Sequence, residues 1–188
     1  ESSLIQLVLD QPLNALRNDR LILRDQSARR TIAGGRIINP FAPTRGRSRP
    51  ERLTILGNME IDDPAQALSM LLDNLPKGLA LVRFTQSRNL TKESVKNLWN
   101  QVKIVSFGPE EKKTGVSPIH WNKIIKITLT ALKNWHADRP GQLGPAENIL
   151  SISLNPIHST ALFCAVVEHM AAKGERVEAT RPLGRPPH

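Results

Sequence analysis

Arg45, Arg47 and Arg49 alternate with small residues in the run Thr-Arg-Gly-Arg-Ser-Arg-Pro at 44–50. A guanidinium is planar, permanently charged and able to hold a phosphate through two parallel hydrogen bonds. An extended chain with this spacing therefore lays several cations along a phosphate backbone. Arg17, Arg20, Arg24, Arg29, Arg30 and Arg36 precede the run, and the 10 basic residues among the first 53 are all arginine. The chemistry on offer is sequence-independent phosphate binding. A solubilising face or a flexible linker is the plainer use of such charge, but arginine to the exclusion of lysine is harder to explain by solubility.

Other chemistries find no support. An NTPase needs GxxxxGK[ST], whose backbone amides and lysine meet the phosphates, and no window contains it; Gly108 to Gly115 and Gly34-Gly35 read as turns. His120, His136, His158, His169 and His188 are scattered, without the spacing of a zinc site. The single cysteine, Cys164, lies between Phe163 and Ala165, the setting of a small core residue and not of a thiolate. Glu168 and His169 are adjacent on a helical pattern and point about 100° apart, so they form no acid/base pair. Trp99, Trp121 and Trp135 fall on helical stripes and read as core. No catalytic residue and no metal ligand is expected in this chain.

The 188 residues suit one ordinary domain or two small ones, with 39% hydrophobic, 4% aromatic and 23% charged residues and no tyrosine. A net charge of +9 points to phosphates or an acidic surface as partner. One cysteine excludes a disulfide framework, and no apolar run reaches the roughly 18 residues of a membrane span. A cytoplasmic, monomeric protein without membrane contact is expected. The chain opens on Glu1 instead of Met, so it is expected to be a piece of a longer protein.

Two textures hold these residues. Up to Asn39 the pattern is antiparallel β: strands at Leu4–Leu9, Leu21–Arg24, Arg30–Ile32 and Arg36–Ile38, punctuated by Asn18-Asp19, Asp25-Gln26-Ser27 and Gly34-Gly35. Such a sheet has open edges and reads as the last part of a barrel. Residues 40–53 read as an extended Pro/Arg linker. Beyond it the period becomes helical. Asp62-Asp63-Pro64 starts a helix with Leu68, Leu71, Leu72 and Leu75 on one face, ended by Pro76-Lys77-Gly78. Thr91 caps a second, carrying Val95, Leu98, Trp99 and Val102. A strand at 104–107 enters the turn GPEEKKTG. Ser117-Pro118 launches a long helix along Trp121, Ile125, Thr128, Leu132 and Trp135; Asn155-Pro156 caps another with Leu162, Ala165, Val166 and Met170; residues 176–180 read as a strand. The expected fold is α+β: a partial barrel at 1–39, the linker, winged helices at 54–117 and 118–182, and a tail at 183–188. The groove-entering helix of the first unit carries Lys92 and Lys96, with Lys112 and Lys113 in its wing opposed by Glu93, Glu110 and Glu111. That of the second has no cation before Lys173. Both units therefore read as spacers.

The segment DRLILRDQSARRTIAGGRIINP, Asp19 to Pro40, resembles the end of the C-terminal β-barrel of translational GTPases. With the following FAPTRGRSRPERL it is similar to the bacterial selenocysteine-specific translation elongation factors. The RDQSARRT core, the glycine pair and the basic linker ending in Arg-Pro-Glu carry the likeness together. It is strongest over Leu21–Leu53 and continues through the helix containing Ala131 and Leu132, the stretch from Pro140 to Pro145 and the final helix; the Ala33-Gly34-Gly35 spacing departs from it. The resemblance implies the end of the third barrel and the first two winged helices of a GTP-dependent factor that brings selenocysteyl-tRNA to the ribosome at UGA codons. It also implies that GTP and Mg belong to a GTPase domain outside this chain, and that the mRNA hairpin is held by winged helices outside it. Because the family's third barrel touches the tRNA arm, Arg24, Arg29, Arg30, Arg36, Arg45, Arg47 and Arg49 are the candidate RNA contacts. A winged-helix transcription regulator reading duplex DNA through Lys92 and Lys96 is the competing expectation, and an adaptor that binds no nucleic acid a third.

Overall fold

The computed structural model describes residues 3–43, 45–142, 144–154 and 159–173. The fold is α+β with two small antiparallel sheets. By internal contacts the chain forms two compact units, one from residues 1–74 with 80–102 and the other from 75–79 with 103–188.

In the first unit, β1 (Arg20–Arg24) pairs antiparallel with β2 (Thr31–Arg36), Arg20 opposite Arg36 and Ile22 opposite Gly34, with an irregularity between Leu23 and Arg24. The turn is built by Asp25, whose carboxylate accepts the amides of Arg29 (2.9 Å) and Arg30 (3.2 Å), while Ala28 takes a positive φ of 56°. Two expected strands are thus one. Gly34 and Gly35 do not turn: they lie inside β2 opposite Ile22 and Leu21, because partnering β1 satisfies their backbone groups more fully than a reversal would. Leu4–Leu9 is irregular, with Val8 83% exposed. A run rich in Leu, Ile and Val has strand propensity, but a strand also needs a partner, and no described residue supplies one.

The linker is shorter than its composition suggests. Helix α1 runs Pro50–Glu60, since proline at the first helical position loses an amide that had no partner there anyway. Arg49 precedes it in extended conformation, and the amides of Arg52 and Leu53 both bond the Arg49 carbonyl. Helix α2 (Pro64–Asn74) starts where Asp63 accepts the amide of Gln66 at 2.8 Å. Ala67, Leu68, Leu71 and Leu72 are buried on it; Leu75, expected on that stripe, is half-buried beyond the helix end. After β3 (Leu79–Ala80) come α3 (Leu81–Ser87) and α4 (Lys92–Gln101), the latter capped by Thr91 as expected. Met59, Leu81, Phe84 and Leu98 are the other buried apolar residues of this unit.

In the second unit, β4 (Val105–Phe107) pairs with β5 (Thr114–Val116) around a single 3-10 turn at Glu110–Lys112, and the sheet order is β3-β5-β4. Along the chain the elements follow as α2, β3, α3, α4, β4, β5, with α2, α3 and α4 in the first unit and β4 and β5 in the second. Gly78 has φ +96°, and a Cβ there would stand 2.6 Å from Thr114 Cγ2, so this turn admits only glycine. Helix α5 (Pro118–Asp138) is capped by Ser117, which accepts the His120 amide at 3.3 Å. Its buried residues Trp121, Ile124 and Leu132 meet α6 (Glu147–Leu154) and α7 (Thr160–Ala172) in one core with Leu154, Phe163 and Met170, and Thr128 is buried as well. Helix α7 begins later than Pro156: Ser159 caps it, accepting the Leu162 amide. Residues 155–158, the strand expected at 176–180 and the tail lie outside the described residues.

Candidate nucleic-acid interface

The candidate arginines occupy the β1–β2 ribbon and the segment before α1. Arg24 ends β1 and reaches the Ala28 carbonyl at 3.4 Å, while Arg29 and Arg30 stand at the turn. The Asp25 carboxyl that shapes this turn is held below the usual aspartate value, first by the backbone amide of Arg30. Arg36 ends β2 and lies 3.7 Å from Glu60, both side chains about half exposed, a contact of little energetic weight. Arg45, Arg47 and Arg49 are exposed; Gly46 takes φ +75°, with the Arg49 side chain folded close to it. Among the described residues, the guanidinium groups of Arg29, Arg30, Arg45, Arg47 and Arg49 have no hydrogen-bond or ion-pair partner. They remain available to phosphates.

Arg17 does not join them. Its side chain is 7% exposed and donates to the carbonyls of Met59 (2.6 Å), Glu60 (2.7 Å) and Ile61 (3.3 Å) and to Asp62 Oδ1 (2.8 Å). Arg88 arrives from the end of α3 and donates to the Met59, Ile61 and Asp62 carbonyls, stacked over the Phe84 ring at 5.1 Å. Helix α1 has no basic residue in its last turn and passes into Ile61 with extended ψ, so its final carbonyls have no local partner. Two remote guanidiniums fill that role and place positive charge at the negative end of the helix dipole. Burial, then the neighbouring Arg17, pushes the Arg88 pKa down to about 10, leaving it a cation at neutral pH. Asp62 is held below its usual value, first by the hydrogen bond from Arg17. The sequence signals the need, a helix end without a cap, but not donors so far away along the chain.

The remaining candidates are dispersed. Lys92 and Lys96 are exposed on α4 beside exposed Glu93, and Lys113 is tied to Glu110 at 2.6 Å. Trp121 is buried, with the His169 ring at its edge 5.5 Å away, while Trp99 and Trp135 are half-buried. Cys164 is half-buried on α7. Among the described residues no three His, Cys, Asp or Glu side chains gather where they could hold a metal ion. With no GxxxxGK[ST] window either, no residue of this chain is assigned to GTP or Mg. No described helix is long and apolar enough to cross a membrane.

The geometry leaves cations facing solvent on a two-stranded ribbon and on the segment before α1. The family model of the selenocysteine-specific elongation factor beta-barrel domain matches residues 1–44. Over 176 residues, 93% of the chain, the sequence is 34% identical to the selenocysteine-specific elongation factor of Escherichia coli (strain K12), and it spans 28% of that relative's length. Over nearly its whole length the chain is thus similar to a selenocysteine-specific elongation factor, and its first 44 residues match the beta-barrel domain of that family.

Proposed function

We propose that this chain serves a GTP-dependent elongation factor that delivers selenocysteyl-tRNA to the ribosome. In this reading its front ribbon and linker contact RNA, and its helical part is a spacer towards the end that holds the mRNA hairpin. The observation that carries it is the identity to one such factor across 93% of the chain, through both compact units and not only the barrel match. Five solvent-facing guanidiniums without a described partner supply the chemistry for phosphate contact. Domains at 1–39, 54–117 and 118–182 are part of the proposal, as are a cytoplasmic location and the monomeric state. The GTPase activity belongs to the whole factor, with no part of it assigned to these residues.

Titrating a labelled tRNA with the chain tests the reading. Arg45→Ala, Arg47→Ala and Arg49→Ala together should weaken binding irrespective of sequence and reduce the slope of log affinity against log salt by about 2. Unchanged affinity overturns the arginine assignment. Tighter, sequence-selective binding of a DNA duplex, lost on Lys92→Ala with Lys96→Ala, would favour the transcription-regulator reading.

A further inference from the structure

Helix α5 presents a second cationic surface. At 100° per residue, Asn122, Lys123, Lys126, Thr130, Lys133 and Asn134 fall within one arc of about 120°, opposite the buried Trp121, Ile124, Thr128 and Leu132. All six are exposed. The helix has no acidic residue before Asp138, its last. A solvated helix face ordinarily sets Glu or Asp three or four positions from each lysine. Positions 119, 120, 122, 127, 129, 130, 136 and 137, together with Lys123 and Lys126 themselves, fill those places here, none of them acidic. Lys123 and Lys126, one turn apart, therefore repel each other in the free protein, an arrangement that a polyanion relieves. Glu168 of α7 is exposed, but α7 packs on the apolar side of α5. The lysine face also borders a shallow cleft of about 330 Å3 lined by Lys126, Ile127, Thr130, Ala131, Asn134 and Leu154. Phosphates on the lysines would bring a ribose or an unpaired base near the apolar side chains of that lining, a combination suited to single-stranded or looped RNA.

We propose that the α5 face is an RNA-binding surface distinct from the arginine front, holding the sugar-phosphate backbone of a looped RNA through Lys123, Lys126 and Lys133. The choice of RNA among polyanions rests on the proposed translation role; the surface itself does not.

The test uses the 188-residue chain and a labelled RNA hairpin of arbitrary sequence, followed by fluorescence anisotropy over a salt series. Lys123→Gln, Lys126→Gln and Lys133→Gln together should weaken binding at least tenfold and lower the salt slope by about 2. A triple of equal charge change, Lys92→Gln, Lys96→Gln and Lys112→Gln, should weaken it less than threefold. The Lys→Arg triple at 123, 126 and 133 should bind like the parent, and thermal melts confirm that each variant folds. Equal losses from the two glutamine triples would mean net charge alone and overturn the proposal, as would an unaltered α5 triple. Tighter binding of a DNA duplex of the same sequence overturns the assignment to RNA. The Arg45/Arg47/Arg49 triple measured alongside separates the two surfaces: its failure with a strong α5 effect removes the arginine reading alone, and the reverse removes this one.

Discussion

Arg17 and Arg88 turn inward on the end of α1, whereas Arg29, Arg30, Arg45 and Arg47 face solvent. Partner supply separates them. The helix end at Met59 to Asp62 exposes carbonyls that nothing local satisfies, so the guanidiniums within reach are held there. The ribbon satisfies its own backbone by pairing and through Asp25, so its arginines find no protein acceptor. Arginine-rich composition is therefore not itself a binding signal; what counts is which cations remain after the helix ends are capped.

The largest effect expected of this contrast is on stability. Arg17→Ala should lower the unfolding free energy by about 3 kcal/mol in urea titrations, from two short charge-assisted bonds to the Met59 and Glu60 carbonyls at about 1.5 kcal/mol each. The Asp62 contact adds little, because that carboxylate is exposed. Arg17→Lys should recover less than half, since an ammonium cannot fork between the same acceptors. A loss below about 0.5 kcal/mol would erase the distinction between inward and outward arginines.

Next in size is a difference in local opening. Amides of β1 and β2, in a two-stranded ribbon with β2 exposed throughout, should exchange with solvent at an opening free energy about 2 kcal/mol below those of α2. Equal protection would show that the ribbon shares in the global unfolding unit.

Acid should act on both regions through different donors. Asp62 and Asp25 both titrate below the usual 3.8 in the folded chain, Asp62 chiefly through the Arg17 hydrogen bond and Asp25 chiefly through the Arg30 amide. Folded values below the unfolded one stabilise the protein above the unfolded pKa, and that contribution is lost as pH falls through the folded values. Stability should therefore decline as pH drops from about 4 towards 2, and Asp62→Asn should flatten that decline. Arg17→Ala should remove the Asp62 share and leave the Asp25 share, which the pH dependence of the urea midpoint in the two variants would reveal.

The smallest expected effect sharpens the contrast from the other side. Arg45→Ala, Arg47→Ala and Arg49→Ala together should leave stability within about 0.5 kcal/mol, because no folded-state partner is lost. A clear drop would mean that this segment is held by contacts beyond those described.

Much of the scaffold was legible because local chemistry dictates it. Asp63, Thr91 and Ser117 cap where their side chains can reach an orphan amide, and Leu68, Leu71, Leu98, Trp121 and Leu132 are buried where helical spacing puts them on one face. The errors cluster where structure depends on a distant partner. Leu4–Leu9 has the apolar composition of a strand and no described strand beside it, Gly34-Gly35 looks like a turn and is paired, and Pro50 looks like linker and starts a helix. In the candidate interface the same division holds. The exposed guanidiniums at 29, 30, 45, 47 and 49 were readable from composition and spacing. The removal of Arg17 was not, nor was the α5 lysine face, whose charges lie too far apart in sequence to form a run.

By itself, then, the sequence determined the helix starts, the apolar stripes, the arginine excess at the front and the family resemblance. Tertiary structure alone decided which arginines are spent on the carboxyl end of α1, which lysines share a face of α5, and that Gly78 must lie where Thr114 leaves no room for a side chain. Capping and periodicity act within a few residues, where the order of side chains fixes the geometry. Carbonyl satisfaction and close approach join positions dozens of residues apart, and only the folded backbone brings those together.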